Sequence, residues 1–130
     1  MTYVAVVEGT ILGFATVSSG AIERQQLPPS TKRPPAYPLP VVRLARLGVS
    51  EAAQGLGIGR SLLGHVLELA LKQRDTTGCV GVVTDAKAEA VAFYERFGFV
   101  EMIEVREGGV HGAPSSMFLP MDAIASAQRG

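Results

Sequence analysis

Three glycines at alternate positions, Gly55, Gly57 and Gly59, lie between an apolar stretch and a segment with helical periodicity. Glycine lets the backbone turn tightly and approach a ligand closely. A helix that starts there offers unpaired amides and the positive end of its dipole, which together bind phosphate groups. Arg60 and Ser61 add a cation and a hydroxyl at the helix start. These residues therefore predict a phosphate or pyrophosphate site.

Two common phosphate-binding loops do not fit this turn. The dinucleotide motif G-x-G-x-x-G fails, because its sixth position is Arg60 when counted from Gly55 and Leu62 when counted from Gly57. The nucleoside triphosphate loop needs a Gly-Lys-Ser/Thr ending, which the sequence lacks. The simpler alternative is a strand-to-helix turn that uses glycine for geometry alone.

A second candidate for chemistry is Tyr94, whose hydroxyl could act as an acid. Ala90, Phe93, Tyr94 and Phe97 recur at helical spacing and predict one apolar helix face that ends at Gly98. Periodicity by itself favours a packing role for the Tyr94 ring.

Hydrophobic patterns predict the elements that position these residues. Strands are predicted at 3–7, 11–18, 41–49, 79–84, 99–105 and 116–121, and helices at 61–73 and between a cap at Asp85 and Gly98. The tail from Asp122 is predicted to be frayed or weakly helical. The order β-β-loop-β-α-β-α-β-β indicates an α/β domain on a mixed sheet.

The strand 41–49 is predicted to follow the two-residue period of β structure, which divides its side chains between two faces. One face carries Arg43, Ala45, Leu47 and Val49, and the other carries Val42, Leu44 and Arg46. The preceding residues 25–40 hold six of the eight prolines and are predicted to form a loop, because proline lacks an amide proton and fixes φ.

Composition sets further bounds. The 130 residues suit a single domain, 1–130, and no apolar run approaches the roughly 20 residues of a membrane helix. A net charge of zero argues against a generally basic nucleic-acid binder. One cysteine, Cys79, excludes an intramolecular disulfide and favours a reducing compartment such as the cytoplasm. Together with His65 and His111 it is too small a set for a zinc site, so no metal is predicted.

Two motifs resemble the GNAT family of N-acetyltransferases. Residues 54–59, Gln-Gly-Leu-Gly-Ile-Gly, match the family signature Q/R-x-x-G-x-G/A. Residues 90–99 are similar to a second hallmark, A-x-x-F-Y-x-x-x-G-F, which starts 35 residues beyond Gly55. The resemblance covers residues 3 to 121.

This resemblance implies a GNAT-like mixed, splayed β-sheet flanked by helices, with acetyl-CoA as co-substrate. It implies that the backbone of Leu47 and Val49 positions the pantetheine and the acetyl carbonyl, and that Tyr94 protonates the departing sulfur of coenzyme A. The remaining cofactor-binding residues that it implies are Gln54, Gly55, Leu56, Gly57, Gly59, Arg60 and Ser61.

Within the family, the chain most resembles the toxins of bacterial toxin–antitoxin pairs that acetylate aminoacyl-tRNA. The shared features are Glu23-Arg24 followed by Leu27-Pro28, the stretch 40–47, and the ending Met-Phe-Leu-Pro-Met at 117–121. The resemblance implies aminoacyl-tRNA and an antitoxin as partners. RNA contacts would come from the acid-free basic span, whose cations are Arg24, Lys32, Arg33, Arg43 and Arg46.

Alternatives stay open at this point. The acceptor could be a small-molecule or protein amine, or the chain could be a truncated, non-catalytic module that binds acetyl-CoA, an antitoxin or a second copy. Family members usually begin with a strand and two helices before the hairpin, and the chain is expected to lack them. Many members also carry Asn where this chain has Lys87. Glu23 and Glu51 are candidate general bases, although a surface role is the simpler interpretation of each.

Overall fold

The computed structural model describes residues 1–7, 9–22, 39–102 and 115–129. Its strands are β1 Thr2–Val7, β2 Thr10–Ile22, β3 Leu39–Val49, β4 Gly81–Ala86, β5 Val100–Glu101 and β6 Ser115–Pro120. Its helices are α1 Ile58–Thr77, α2 Val91–Glu95 and α3 Met121–Arg129, with 3-10 turns at Glu51–Ala53 and Ala88–Ala90. The predicted proline-rich loop, apart from residues 39 and 40, and the end of the predicted strand 99–105 lie outside the described residues, as do Glu23, Arg24, Lys32 and Arg33.

The strands form one mixed sheet of six strands in the order β1-β2-β3-β4-β6-β5. The contact between β3 and β4 is parallel, and the other four pairings are antiparallel. The predicted mixed sheet is therefore confirmed. The tail, for which at most weak helicity is predicted, forms α3, and Ile124 of this helix is fully buried.

Helix α1 packs its apolar stripe against one face of the sheet. The buried members of that stripe are the ones that helical spacing predicts: Leu62, Leu63, Val66, Leu67 and Ala70. The helix is longer than the predicted 61–73, because glycines in the left-handed conformation bound it at both ends, Gly57 at φ 80° and Gly78 at φ 72°. Side chains of β2, β3 and β4 complete this core, together with α2 and α3.

The opposite face of the sheet is covered unevenly. Near β4 and β6 it holds a second buried cluster, made of Ile22, Leu39, Val41, Val83, Met102 and Phe118. Over β1 and β2 the same face leaves apolar side chains exposed, namely Val4, Val6, Ile11 and Phe14. Across the described ranges, no helix is long and apolar enough to cross a membrane.

The segment around Asp85 differs from the prediction. Asp85 lies within β4 rather than capping a helix. In the strand it accepts a hydrogen bond from the Ser116 hydroxyl at 2.9 Å and pairs with Arg43 at 3.9 Å. The predicted helix is divided into the 3-10 turn Ala88–Ala90 and the short α2, so Phe97 falls in the turn after it. Aspartate is common at helix starts, but here the pairing of β4 with β6 extends past it.

Candidate active site

The centre of the sheet opens between β3 and β4. Their parallel ladder has three residue pairs and ends at Leu44 and Thr84. Beyond that point β3 stays with β2, to which it is paired through Val49, while β4 stays with β6 through Ala86. The two halves of the sheet therefore diverge and leave a gap beside the last residues of β3.

A β-bulge at Ala45 sets which side chains of β3 face α1. Arg46 pairs with Thr16 and Leu44 pairs with Val17, so Ala45 is an extra residue on β3. The insertion shifts the two-residue alternation by one position. As a result Leu47 packs with the α1 core, as Leu44 does. The predicted division of faces is therefore wrong beyond Ala45, because alternation cannot register an inserted residue.

The glycine turn is fixed to the sheet at its start. The amide of Ser50 donates to the carbonyl oxygen of Leu12 at 2.8 Å, and Ala53 is buried. Gly55 and Gly57 then adopt left-handed conformations, with φ of 89° and 80°. A Cβ atom added to either would meet no atom within 4 Å. The turn therefore borders open space, and its conformation, rather than crowding, requires glycine at these two positions.

The first turn of α1 offers its amides to that space. The first backbone bond of the helix runs from the Ser61 amide to the Gly57 carbonyl, at 3.0 Å. The amides of Ile58, Gly59 and Arg60 precede it, and Gly57 has no side chain to cap them. Gln54, Leu56, Arg60 and Ser61 are exposed around this turn. The arrangement suits an anion, because these amides and the positive end of the helix dipole lie at an open surface that also carries the exposed Arg60.

Gly59 serves a different purpose from the two glycines before it. A Cβ there would lie 3.5 Å from Val49 Cγ2 and 3.6 Å from Phe93 Cζ. The structure therefore brings together the start of α1, the end of β3 and helix α2. Gly59 contributes to the site by letting these three elements pack closely.

Tyr94 lies on α2, next to Phe93, whose ring packs beside Gly59 at the start of α1. Its side chain is 6% exposed, and its ring makes edge contacts with Phe93 and Phe99. Burial raises the pKa of the Tyr94 phenol above its ordinary value, and a side-chain hydrogen bond with Thr84 acts in the opposite direction. Tyr94 is therefore a protonated phenol at neutral pH.

Thr84 is a buried polar residue that the sequence pattern does not single out. The pattern 79–84 predicts a buried strand that ends at Thr84. The available signal was a lone hydroxyl at the end of an apolar run, directly before Asp85. In the structure Thr84 is buried, and its hydroxyl donates to the carbonyl oxygen of Leu44 at 3.0 Å.

Other candidate residues lie outside the gap. Glu51 is exposed at the start of a 3-10 turn, and Lys87 is exposed after β4. Arg43 pairs with Asp85, whereas Arg46 is exposed opposite Thr16. In the part of the chain that the structure describes, no three His, Cys, Asp or Glu side chains come together as a metal site would require.

A comparison with family models decides the family. Residues 1–101 match the model described as "Acetyltransferase (GNAT) domain". The chain belongs to the GNAT acetyltransferase family. The divergence of β3 and β4 and the glycine turn before α1 are the features of this GNAT domain that the sequence motifs predict.

Individual relatives of this GNAT domain are toxins. A "tRNA-acetylating toxin" of Mycobacterium tuberculosis (strain ATCC 25618 / H37Rv) is 32% identical over 93 residues, which are 71% of this chain and 56% of that protein. The chain thus corresponds to little more than half of the relative's length. Among solved structures, "AtaT complexed with acetyl-methionyl-tRNAfMet" is 25% identical with a TM-score of 0.82. The match covers 98% of this chain and 74% of the solved chain. "Crystal structure of AtaTR bound with AcCoA" is 26% identical with a TM-score of 0.74. That match covers 98% of this chain and 73% of the solved chain.

Proposed function

We propose that this chain binds acetyl-CoA and transfers its acetyl group to a primary amine, that of aminoacyl-tRNA. The observation that carries the proposal is the divergence of β3 and β4, with the amides at the start of α1 beside the end of β3, and with α2, which carries Tyr94, packed at the same place. The "tRNA-acetylating toxin" and the AtaT complex with acetyl-methionyl-tRNA support the choice of acceptor.

The proposed binding mode follows from the elements described. The amides at the start of α1, with Arg60 and Ser61, hold the pyrophosphate, and Gln54 to Gly57 form the edge of that site. The backbone of Leu47 and Val49, freed from β4 by the divergence, aligns the pantetheine arm. An amide aimed at the acetyl carbonyl would stabilise the negative charge that develops on its oxygen.

Tyr94 supplies the proton of the reaction. The amine nitrogen bonds to the acetyl carbon, the carbon–sulfur bond breaks, and the Tyr94 hydroxyl delivers its proton to the departing sulfur. The surplus proton of the amine passes to solvent, and solvent later returns a proton to the phenolate. The burial that raises the pKa of Tyr94 keeps the acid protonated until sulfur leaves.

A smaller amine is the second candidate acceptor. It is favoured by the zero net charge and by the pairing of Arg43 with Asp85, which occupies one cation of the basic span. We further propose an antitoxin as protein partner and the cytoplasm as compartment, which the buried free thiol of Cys79 suits.

Transfer of labelled acetyl from acetyl-CoA tests the proposal. Charged tRNA should be acetylated at its amino acid much faster than the corresponding free amino acid amide. Equal rates on the two acceptors would favour the small-amine candidate. No transfer to any amine, with acetyl-CoA still bound, would reduce the chain to a binding module.

A further inference from the structure

Strand β4 buries every residue except Asp85. The side chain of Asp85 is 57% exposed. It directly follows Thr84, at which the parallel ladder with β3 ends. A carboxylate therefore stands at the first position of β4 beyond the point where the sheet divides, and a ligand can reach it there.

Asp85 faces away from α1. Val82 and Ala86 pack in the core with α1, whereas Val83 belongs to the second buried cluster on the other face of the sheet. Because β4 pairs with β6 without a register shift, strand alternation places Asp85 on the same face as Val83. Tyr94 packs in the core with α1. The carboxylate and the phenol therefore belong to opposite faces of the sheet.

Two neighbours contact the carboxylate of Asp85, one closely and one at longer range. The hydroxyl of Ser116, its register partner on β6, donates to Oδ1 at 2.9 Å. Arg43 Nη1 lies 3.9 Å from Oδ2, which is farther than a hydrogen bond reaches. The Arg43 side chain is 39% exposed, and an exposed ion pair of this length contributes little stability. A donor group can therefore take the place of Arg43 at Oδ2 while Ser116 holds Oδ1.

We propose that Asp85 receives the acceptor amine. Its Oδ2 accepts a hydrogen bond from an N–H of the amine, and then takes the proton that the nitrogen gives up after it bonds to the acetyl carbon. The inference rests on the proposed function and deepens it by naming the group that acts on the acceptor. Glu51, the other acid considered for this role within the described residues, lies outside the gap, whereas Asp85 lies at its edge.

The two faces of the sheet suit the two proton transfers of the reaction. The amine nitrogen bonds to the acetyl carbon on the face of Asp85, and the carbon–sulfur bond breaks. The departing sulfur takes the proton of Tyr94 from the face of α1. Asp85 takes the surplus proton of the nitrogen and passes it to water, which its exposure permits, so the carboxylate is restored for the next turnover.

Single-turnover transfer from acetyl-CoA tests the role, with charged tRNA and with the free amino acid amide as acceptors. Asp85→Asn keeps the shape of the side chain and an oxygen for Ser116, but it removes the charge and the base. It should lower both rates by about 10²–10⁴ and leave coenzyme A affinity unchanged. Asp75→Asn, an equally conservative change at an exposed position in the last turn of α1, is the matched control.

Ser116 provides a second measurement on the same carboxylate. Ser116→Ala should lower the rate about 3-fold to 10-fold, the range of one lost neutral hydrogen bond. In an Asp85→Ala background the same change should cause no further loss, because no carboxylate is left to orient. Equal losses from Ser116→Ala in both backgrounds would contradict the inference.

Binding without turnover separates this inference from the proposed function. The probes are two forms of a tRNA whose amino acid is attached through a stable amide, one with a free amino group and one with that group acetylated. Wild-type protein loaded with coenzyme A should bind the free amine about 10-fold to 100-fold more tightly, as expected for a hydrogen bond to a charged group. Asp85→Asn should lose this preference.

Two further results would overturn the inference. One is equal binding of the two probes by the wild-type protein, and the other is a full transfer rate in Asp85→Asn. A wild-type chain that prefers the free amine but transfers no acetyl group would contradict the proposed function, while it would still support the amine site at Asp85.

Discussion

The ring of Phe14 lies across Gly48, its register partner on the neighbouring strand. A Cβ atom at Gly48 would be 2.6 Å from Phe14 Cε1 and 3.0 Å from Cζ, far inside van der Waals contact. Gly48 stands between Leu47 and Val49, the residues proposed to align the pantetheine. The absence of a side chain at Gly48 therefore lets an aromatic ring close over the strand that borders the gap.

Gly48→Ala should destabilise the fold by about 1–3 kcal/mol, because Phe14 must leave its position to admit the methyl group. Gly20→Ala is the matched control, since its Cβ would sit 3.5 Å from its nearest neighbours. Denaturant unfolding measures both variants, and adding Phe14→Ala should recover part of the loss. Equal denaturant midpoints for Gly48→Ala and Gly20→Ala would show that the Phe14 ring can move aside without lowering the stability.

Gly57→Val should abolish coenzyme A binding, for which we expect micromolar affinity, about −8 kcal/mol. Valine would border the opening to the α1 amides, and a β-branched residue is strained at φ 80°. Gly64→Ala within α1 is the control, because its Cβ would meet open space in ordinary helical geometry. Calorimetry on folded protein that shows unchanged binding in Gly57→Val would remove this turn from the site.

Tyr94→Phe should lower turnover by roughly 10²–10⁴ and leave coenzyme A affinity and folding nearly intact, because the ring stays and the acid is lost. Tyr3→Phe is the control, since its hydroxyl contacts Met1 at an exposed position. The comparison requires conditions in which chemistry limits the rate. Near-normal turnover in Tyr94→Phe would leave Tyr94 with a packing role.

The raised pKa of Tyr94 predicts a stability that falls at high pH. Above about pH 10, the ordinary value, the unfolded chain loses the phenolic proton while the native state retains it. Each such loss favours the unfolded state, so the free energy of unfolding declines until pH passes the native pKa. Below pH ~10 the phenol is protonated in both states, so this group does not make the free energy of unfolding depend on pH. Tyr94→Phe should remove part of the alkaline decline, measured by denaturant unfolding across that range, and an identical decline in both proteins would contradict the assignment.

If charged tRNA is the acceptor, its affinity should fall steeply as salt rises, because phosphate contacts release counterions. Arg46→Ala should weaken binding and reduce the salt slope by about one, as expected for one phosphate contact. The control is Arg74→Ala, in the last turn of α1 beside Asp75. A salt slope unchanged by Arg46→Ala would place the RNA elsewhere on the surface.

Features that depend on local chemistry can be predicted from the sequence alone. Alternate glycines before an amphipathic helix predict a turn with left-handed residues, and Gly55 and Gly57 adopt that conformation. The spacing of apolar residues from Leu62 to Ala70 predicts the buried stripe of α1. The two motifs predict the family, and with it the divided sheet. In each case, neighbours along the chain carry the signal.

Features that depend on residues far apart in sequence become visible only in the folded chain. Pairing with β2 makes Ala45 an extra residue and moves Leu47 to the α1 side, which alternation along β3 cannot reveal. Pairing with β6 keeps Asp85 in a strand instead of at a helix start. Thr84 meets the backbone of Leu44, 40 positions earlier, only because a parallel ladder ends there. Register between strands is a property of two segments at once, so neither sequence stretch alone contains it.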